Sequence, residues 1–317
     1  MDPLLVVIVT FGLIFVVTAS LGQGFAMPIE SFKQGLAAHR QLSVMLLISN
    51  FILMPALLIG IASLVDFNPQ VKMAIVILAI TAGAPFIPWL VAQGKGDVGY
   101  SVVTAFGLLL VTLVVTPLAV PPLLRALDTG ASPSVWHVAW PMLLFILLPV
   151  VVGVICRARY PQLVAEVGPW LGPISVAFLV VHICLYIGYS WSEFLSLAGY
   201  GQMAFTLVFP VAGLIIGYIL SPPYLLSPVP TADPQRGTKI VSAVSVAQQN
   251  TGAVICCAIF PLGPYLVAGD FLLLGAIVTI VVVLAFMLEL GVRFEKKTAV
   301  ALSHSVPVPS VEPVPAK

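Results

Sequence analysis

The residues best able to do chemistry form a polar run inside an apolar stretch: Ser242, Ser245, Gln248, Gln249, Asn250 and Thr251, then Gly252 and apolar residues from Ala253 to Phe260. Amides and hydroxyls at this density are neither nucleophiles nor proton carriers at neutral pH. They hold ions and polar solutes with oxygen lone pairs and N–H groups. Gln248, Gln249 and Asn250 are consecutive, so a continuous helix would spread them around most of its circumference and turn an amide toward lipid. An interruption near Gln249 and Asn250 removes the conflict. It also frees backbone carbonyls and helix-end amides of the kind that hold ions and anionic groups near a bilayer midplane.

A second interruption is written differently. Gly83-Ala84-Pro85-Phe86-Ile87-Pro88 places two prolines and a glycine midway along an apolar segment, removing donors and breaking the hydrogen-bond ladder. The predicted helix-break residues are Gly83, Pro85, Pro88 and Gly252. In the competing reading the prolines only kink a helix and the amides glue neighbouring helices together. That alternative predicts two continuous rods that do not meet.

The elements that must carry these breaks are membrane spans. The 317 residues are 60% hydrophobic and 8% charged, with mean hydropathy +1.14, a surface that water would not solvate. Apolar runs of about 20 residues, each long enough to cross the hydrocarbon core, recur at 4–24, 42–64, 71–93, 98–124, 138–156, 173–191, 198–220, 238–260 and 266–292. The fold class is therefore an all-α integral membrane protein of about nine spans, with the breaks in the third and eighth. A barrel would instead show short alternating segments. The first run lacks a basic leader region and is read as a retained span ending at a Gly22-Gln23-Gly24 turn.

Charge sorting sets the orientation. With nine spans and the N-terminus outside, one side receives Lys33, Arg40, Lys95, Arg157, Arg159, Arg236, Lys239, Arg293, Lys296, Lys297 and Lys317, and the other only Lys72 and Arg125. Basic residues stay on the cytoplasmic side, so the C-terminus is inside and the membrane is a plasma or inner membrane. The proline-rich stretch from Ser221 to Arg236 reads as an extended connector, and residues 298–317 as a disordered tail. Two repeats, about 4–125 and 138–292, make up a transporter domain over 1–297.

Other polar residues are assigned structural roles. Glu289 lies four residues before Arg293, the spacing of a helical ion pair, and the other acids lie in loops, tails or span ends. Cys156, Cys184, Cys256 and Cys257 have no metal or redox spacing. His182, Tyr186 and Tyr189 suit interhelical packing, and Thr104 can bond its own backbone. No nucleophile–base pair, paired carboxylates or metal cluster is found in the spans, so no enzyme is predicted. With a net charge of +1, nothing suggests a nucleic-acid partner; the expected partners are a small solute and lipid.

Four stretches resemble the bile acid:sodium symporter superfamily: Val246 to Gly252, Gly94 to Val98, Asn50 to Pro55 and Gly22 to Ala26. The resemblance implies a core and a panel domain related by inverted repeats, with the third and eighth spans crossing in the core. It also implies alternating access for a small organic solute, an organic anion by family habit, at Asn50, Ser101, Ser245, Val246, Gln248, Gln249, Asn250 and Thr251. The family's two sodium sites carry over only in part. Its Ser-Asn pair falls on Ile87 and Pro88, a threonine on Ala105, and the glutamate shared by both sites on Ser245. One site is thereby lost, and a weakened metal site for sodium remains at Asn50, Ser245 and Gln249. Arsenite is disfavoured, because the cysteine that carriers of it place in the first broken helix is missing. A sodium-independent facilitator is the nearest alternative, and a transport-dead membrane sensor or scaffold the next.

Overall fold

The computed structural model of the chain describes residues 2–196, 200–221, 234–262 and 266–305. The described elements are all helical: α1 (Pro3–Ala26), α2 (Ile29–Ala38), α3 (Arg40–Ile48), α4 (Met54–Leu64), α5 (Pro69–Ile80), α6 (Ile87–Gln93), α7 (Val98–Ala126), α8 (Val135–Met142), α9 (Leu148–Arg159), α10 (Pro161–Tyr189), α11 (Trp191–Ser196), α12 (Tyr200–Leu220), α13 (Pro234–Ala247), α14 (Thr251–Ile259) and α15 (Leu266–Ser305). Among the described residues seven helical stretches are long and apolar enough to cross a membrane, and Pro69–Ile80 and Ala204–Leu220 are shorter apolar helices.

Helix starts follow local chemistry. Asp2, Asn68, Asp97 and Ser134 each accept a backbone N–H of the turn they precede, and prolines follow Asp2 and Asn68 at the first helical position, where a missing N–H costs nothing. Two π-helical turns, Ser49–Leu53 between α3 and α4 and Leu143–Leu147 between α8 and α9, each precede a proline. Pro55 and Pro149 cannot donate to the preceding turn, and the ladder widens there.

The Gly22-Gln23-Gly24 turn expected from the sequence is instead helix, because α1 runs to Ala26. Gly24 meets Gly153 and the Val150 carbonyl of α9 directly, an approach that any Cβ would block. The segment between the first two spans is not loop but the amphipathic helix α2, whose Phe32 packs edge-on against Phe106 of α7 at 5.3 Å. α15 stays helical to Ser305, past the start of the predicted tail. The proline-rich connector after Ser221 and the end of the tail lie outside the described residues.

Packing divides the helices into two bundles. α1 lies along α9 and α10; α12, α13 and α15 pack with one another, and α5 joins them through α4, α7 and α15. In the second bundle Gly213 and Gly217 of α12 touch the backbone of Ala247 and of Ser242 and Ala243 in α13, a small-xxx-small approach of the kind that joins membrane helices. The bundles meet where α14 lies against α1 and α8, and where α8 lies against α7.

Candidate functional site

Two helices stop midway, and their ends touch. After α5 the chain leaves the helix at Thr81 (φ −102°, ψ 111°) and resumes at α6; after α13 it leaves at Gln248 and resumes at α14. The Asn250 N–H donates to the Thr81 carbonyl at 3.3 Å, and Asn250 Nδ2 to the Gly83 carbonyl at 3.0 Å. Asn250 Oδ1 also caps α14 by accepting the Ala253 N–H at 3.0 Å. A third segment joins them, since Gln23 Nε2 of α1 donates to the same Gly83 oxygen at 3.1 Å. The sequence marks Gln23 only as part of a turn.

Gly83 is dictated by this geometry. Its φ is +79°, and an added Cβ would lie against Leu109 N and the Ala105 carbonyl of α7, so both conformation and space require glycine. Pro85 also lies in the break. Pro88 and Gly252 are placed in the first turns of α6 and α14, where proline lacks only a donor that would have no partner anyway.

The first break is chemically closed. The Thr112 hydroxyl of α7 accepts the Ala82 N–H at 2.9 Å and donates to the Ala82 carbonyl at 3.0 Å. Thr116, one turn on, donates to the Ile80 carbonyl at 3.1 Å, and Thr81 Oγ1 to the Ile77 carbonyl at 2.9 Å. These threonines look in sequence like ordinary members of an apolar span; only their four-residue spacing on one face hints at a shared task.

The second break is open to partners. Ser245, Gln248, Gln249, Asn250 and Thr251 are all buried, and Val246 is apolar core. Ser245 Oγ, Gln248 Oε1 and Gln249 Nε2 have no hydrogen-bond partner, a cluster unlike the sparse orphans elsewhere among the described residues. Buried polar atoms are almost always satisfied, so three unpartnered ones together set this break apart from the first. Gln249 lines a seam with Thr206 of α12 and Thr279 of α15 that is too narrow to admit water. The other predicted residues are occupied locally: Asn50 Nδ2 donates to the Leu46 carbonyl at 2.9 Å and the Ser101 hydroxyl to the Val98 carbonyl at 2.6 Å.

Sodium prefers oxygen ligands, and a tightly held ion gains from a carboxylate. The break offers two orphan oxygens, both neutral, on Ser245 and Gln248, with no carboxylate among its residues. An ion held at these side chains would therefore lie on neutral donors alone, together with whatever backbone carbonyls the break frees.

Three features lie beyond the predicted set. Arg236 of α13 donates to the Gly94 carbonyl at 3.0 Å and the Leu290 carbonyl at 2.9 Å while lying 4.3 Å from the Phe294 ring centroid, tying α13 to the end of α6 and to α15. His39, between α2 and α3, is buried against Tyr100 at 4.2 Å between rings; burial holds its imidazole below the usual value, and nearby Asp97 pulls it the other way. Asp270, which its place near the head of the last apolar run suggests is at a span end, lies wholly buried within α15 and accepts the hydroxyl of Ser190, the residue that caps α10, at 2.5 Å. Glu289 does pair with Arg293, at 2.7 Å.

The described residues form an all-helical membrane fold in which two interrupted helices meet at polar groups. The chain belongs to the Sodium Bile acid symporter family, whose match covers residues 10–196, more than half of the sequence and including the first break. A search among curated proteins finds no match.

Proposed function

We propose that this protein is a secondary carrier that moves a small organic anion by alternating access between two bundles. The α1–α9–α10 group acts as the panel and the remainder as the core. In this reading α5–α6 and α12 complete nine spans in two inverted repeats, about 4–125 and 138–292, with the N-terminus outside and the C-terminus in the cytoplasm. The orphan trio Ser245, Gln248 and Gln249 at the second break is the single observation that carries the proposal. Asn250, Thr251 and the amides opening α14 favour negative charge, and Asn50 and Ser101 line the approach.

The neutral donor set at the break favours the variant in which sodium is not the driving ion. The test is uptake of a panel of organic acids into reconstituted vesicles, with and without a sodium gradient. At least one acid should accumulate or equilibrate faster than in empty vesicles. Gln249→Ala should lower that rate about tenfold, the worth of one lost hydrogen bond to a charged group. Equal rates in protein-containing and empty vesicles for every acid would sink the reading.

A further inference from the structure

Asp270 is an aspartate with no solvent exposure inside a membrane-spanning helix. Ionisable groups in such places are costly and, as a rule, functional. The groups facing it form a polar file on α10. Ser190 donates to its carboxylate, and the Tyr186 phenol lies against Gly269, the neighbour of Asp270. His182, one further turn along, lies 6.0 Å from the Tyr186 ring and shares a hydrogen bond of 2.9 Å with the Ile8 carbonyl of α1. Residues 182, 186 and 190 are four apart and so share one helix face. Tyr189 adjoins Tyr186.

Among described side chains on the other elements packed against α15, α5 brings Lys72, α11 Ser192, α12 the neutral Thr206 and α14 Cys256 and Cys257. Arg236 of α13 is engaged at Leu290, and α15 has no other acid before Glu289. The Ser190–Asp270 bond joins α10 of one bundle to α15 of the other.

We propose that Asp270 is a proton-binding site on the seam between the bundles and that the proton is the coupling ion of this carrier. The carboxylate takes up one proton from water to become a carboxylic acid; local charge goes from −1 to 0 and nothing else is consumed. Sliding the bundles past each other parts Ser190 from Asp270. That takes a hydrogen bond from a buried carboxylate when the group is ionised, which costs more than taking it from the neutral acid when it is protonated. The acid is the form that can move. The protonation site stands on burial and geometry alone, whereas its coupling role rests on the carrier reading above.

The test is infrared difference spectroscopy of the full chain in lipid nanodiscs across the neutral pH range, in choline chloride and in sodium chloride. The wild type should show a buried carboxylic C=O band that titrates, is absent in Asp270→Asn and shifts its midpoint by about one pH unit in Ser190→Ala. Should Asp270→Asn fail to fold, Ser190→Ala alone decides. A band unchanged in Asp270→Asn, an unmoved midpoint in Ser190→Ala, or a midpoint displaced by sodium overturns the assignment. A band that behaves as expected in a protein that carries no acid into vesicles leaves the proton site standing and removes the carrier reading.

Discussion

The two helix interruptions solve the same problem in opposite ways. Around Ala82 both backbone groups of Ala82 and the carbonyls of Ile80, Thr81 and Gly83 find a threonine of α7 or an amide from Asn250 or Gln23. Around Gln248 three buried side-chain atoms are left without partners. An unmade buried hydrogen bond costs about 1–3 kcal/mol, so a polar group reaching the second bend would recover free energy there. On the function proposed above, the first bend is scaffold and the second is the binding place.

This contrast can be broken at its strongest point with Gly83→Ala. A methyl group there meets α7 backbone in a conformation L-residues resist, so a loss of about 4 kcal/mol or more is expected, read as failure to purify a monodisperse protein. Thr112→Val should cost about 2–3 kcal/mol by orphaning both polar groups of Ala82. Thermal unfolding followed with a thiol-reactive dye in a Cys156→Ala, Cys184→Ala background reports it, because the remaining Cys256 and Cys257 are buried until the fold opens. An unchanged melting temperature would show that the first bend is not closed as described.

Ser245→Ala sharpens the comparison from the other side. Removing a hydroxyl that bonds nothing should leave stability within about 1 kcal/mol of wild type while weakening uptake of any transported acid. A large fall in stability would make the second bend scaffold too. The smallest effect belongs to His39, away from both bends. Its imidazole is held below the ordinary value of about 6.5, so the folded state binds the proton less readily than the unfolded chain. Stability is therefore full above that value and declines as pH falls below it. His39→Gln should flatten that decline in thermal scans at stepped pH.

Both interruptions were legible in the sequence because each violates a local rule: consecutive amides cannot all avoid lipid, and paired prolines cannot continue a ladder. Their meeting was not legible. Thr112, Thr116 and Gln23 carry no sign of which carbonyl they satisfy, since a hydroxyl or an amide in an apolar helix can as readily bond its own backbone. Asp270 was hidden by its position near the head of an apolar run, where an acid ordinarily faces water. Only the placement of Ser190 and Tyr186 shows that it does not. The helix α2 was missed for a related reason: its ten residues are too few and too polar to read as a span, and its apolar face is short.

The glycines decide where this molecule can shear. Every described glycine whose absent side chain lets two backbones touch, whether Gly24 on Gly153, Gly83 on α7, Gly213 and Gly217 on α13 or Gly291 on Gln93, lies inside one bundle or the other. Such contacts have no rotamer to give and act as rivets. Between the bundles the fastenings are side chains, which can swing, so slip under load will run along that plane and leave each half undeformed.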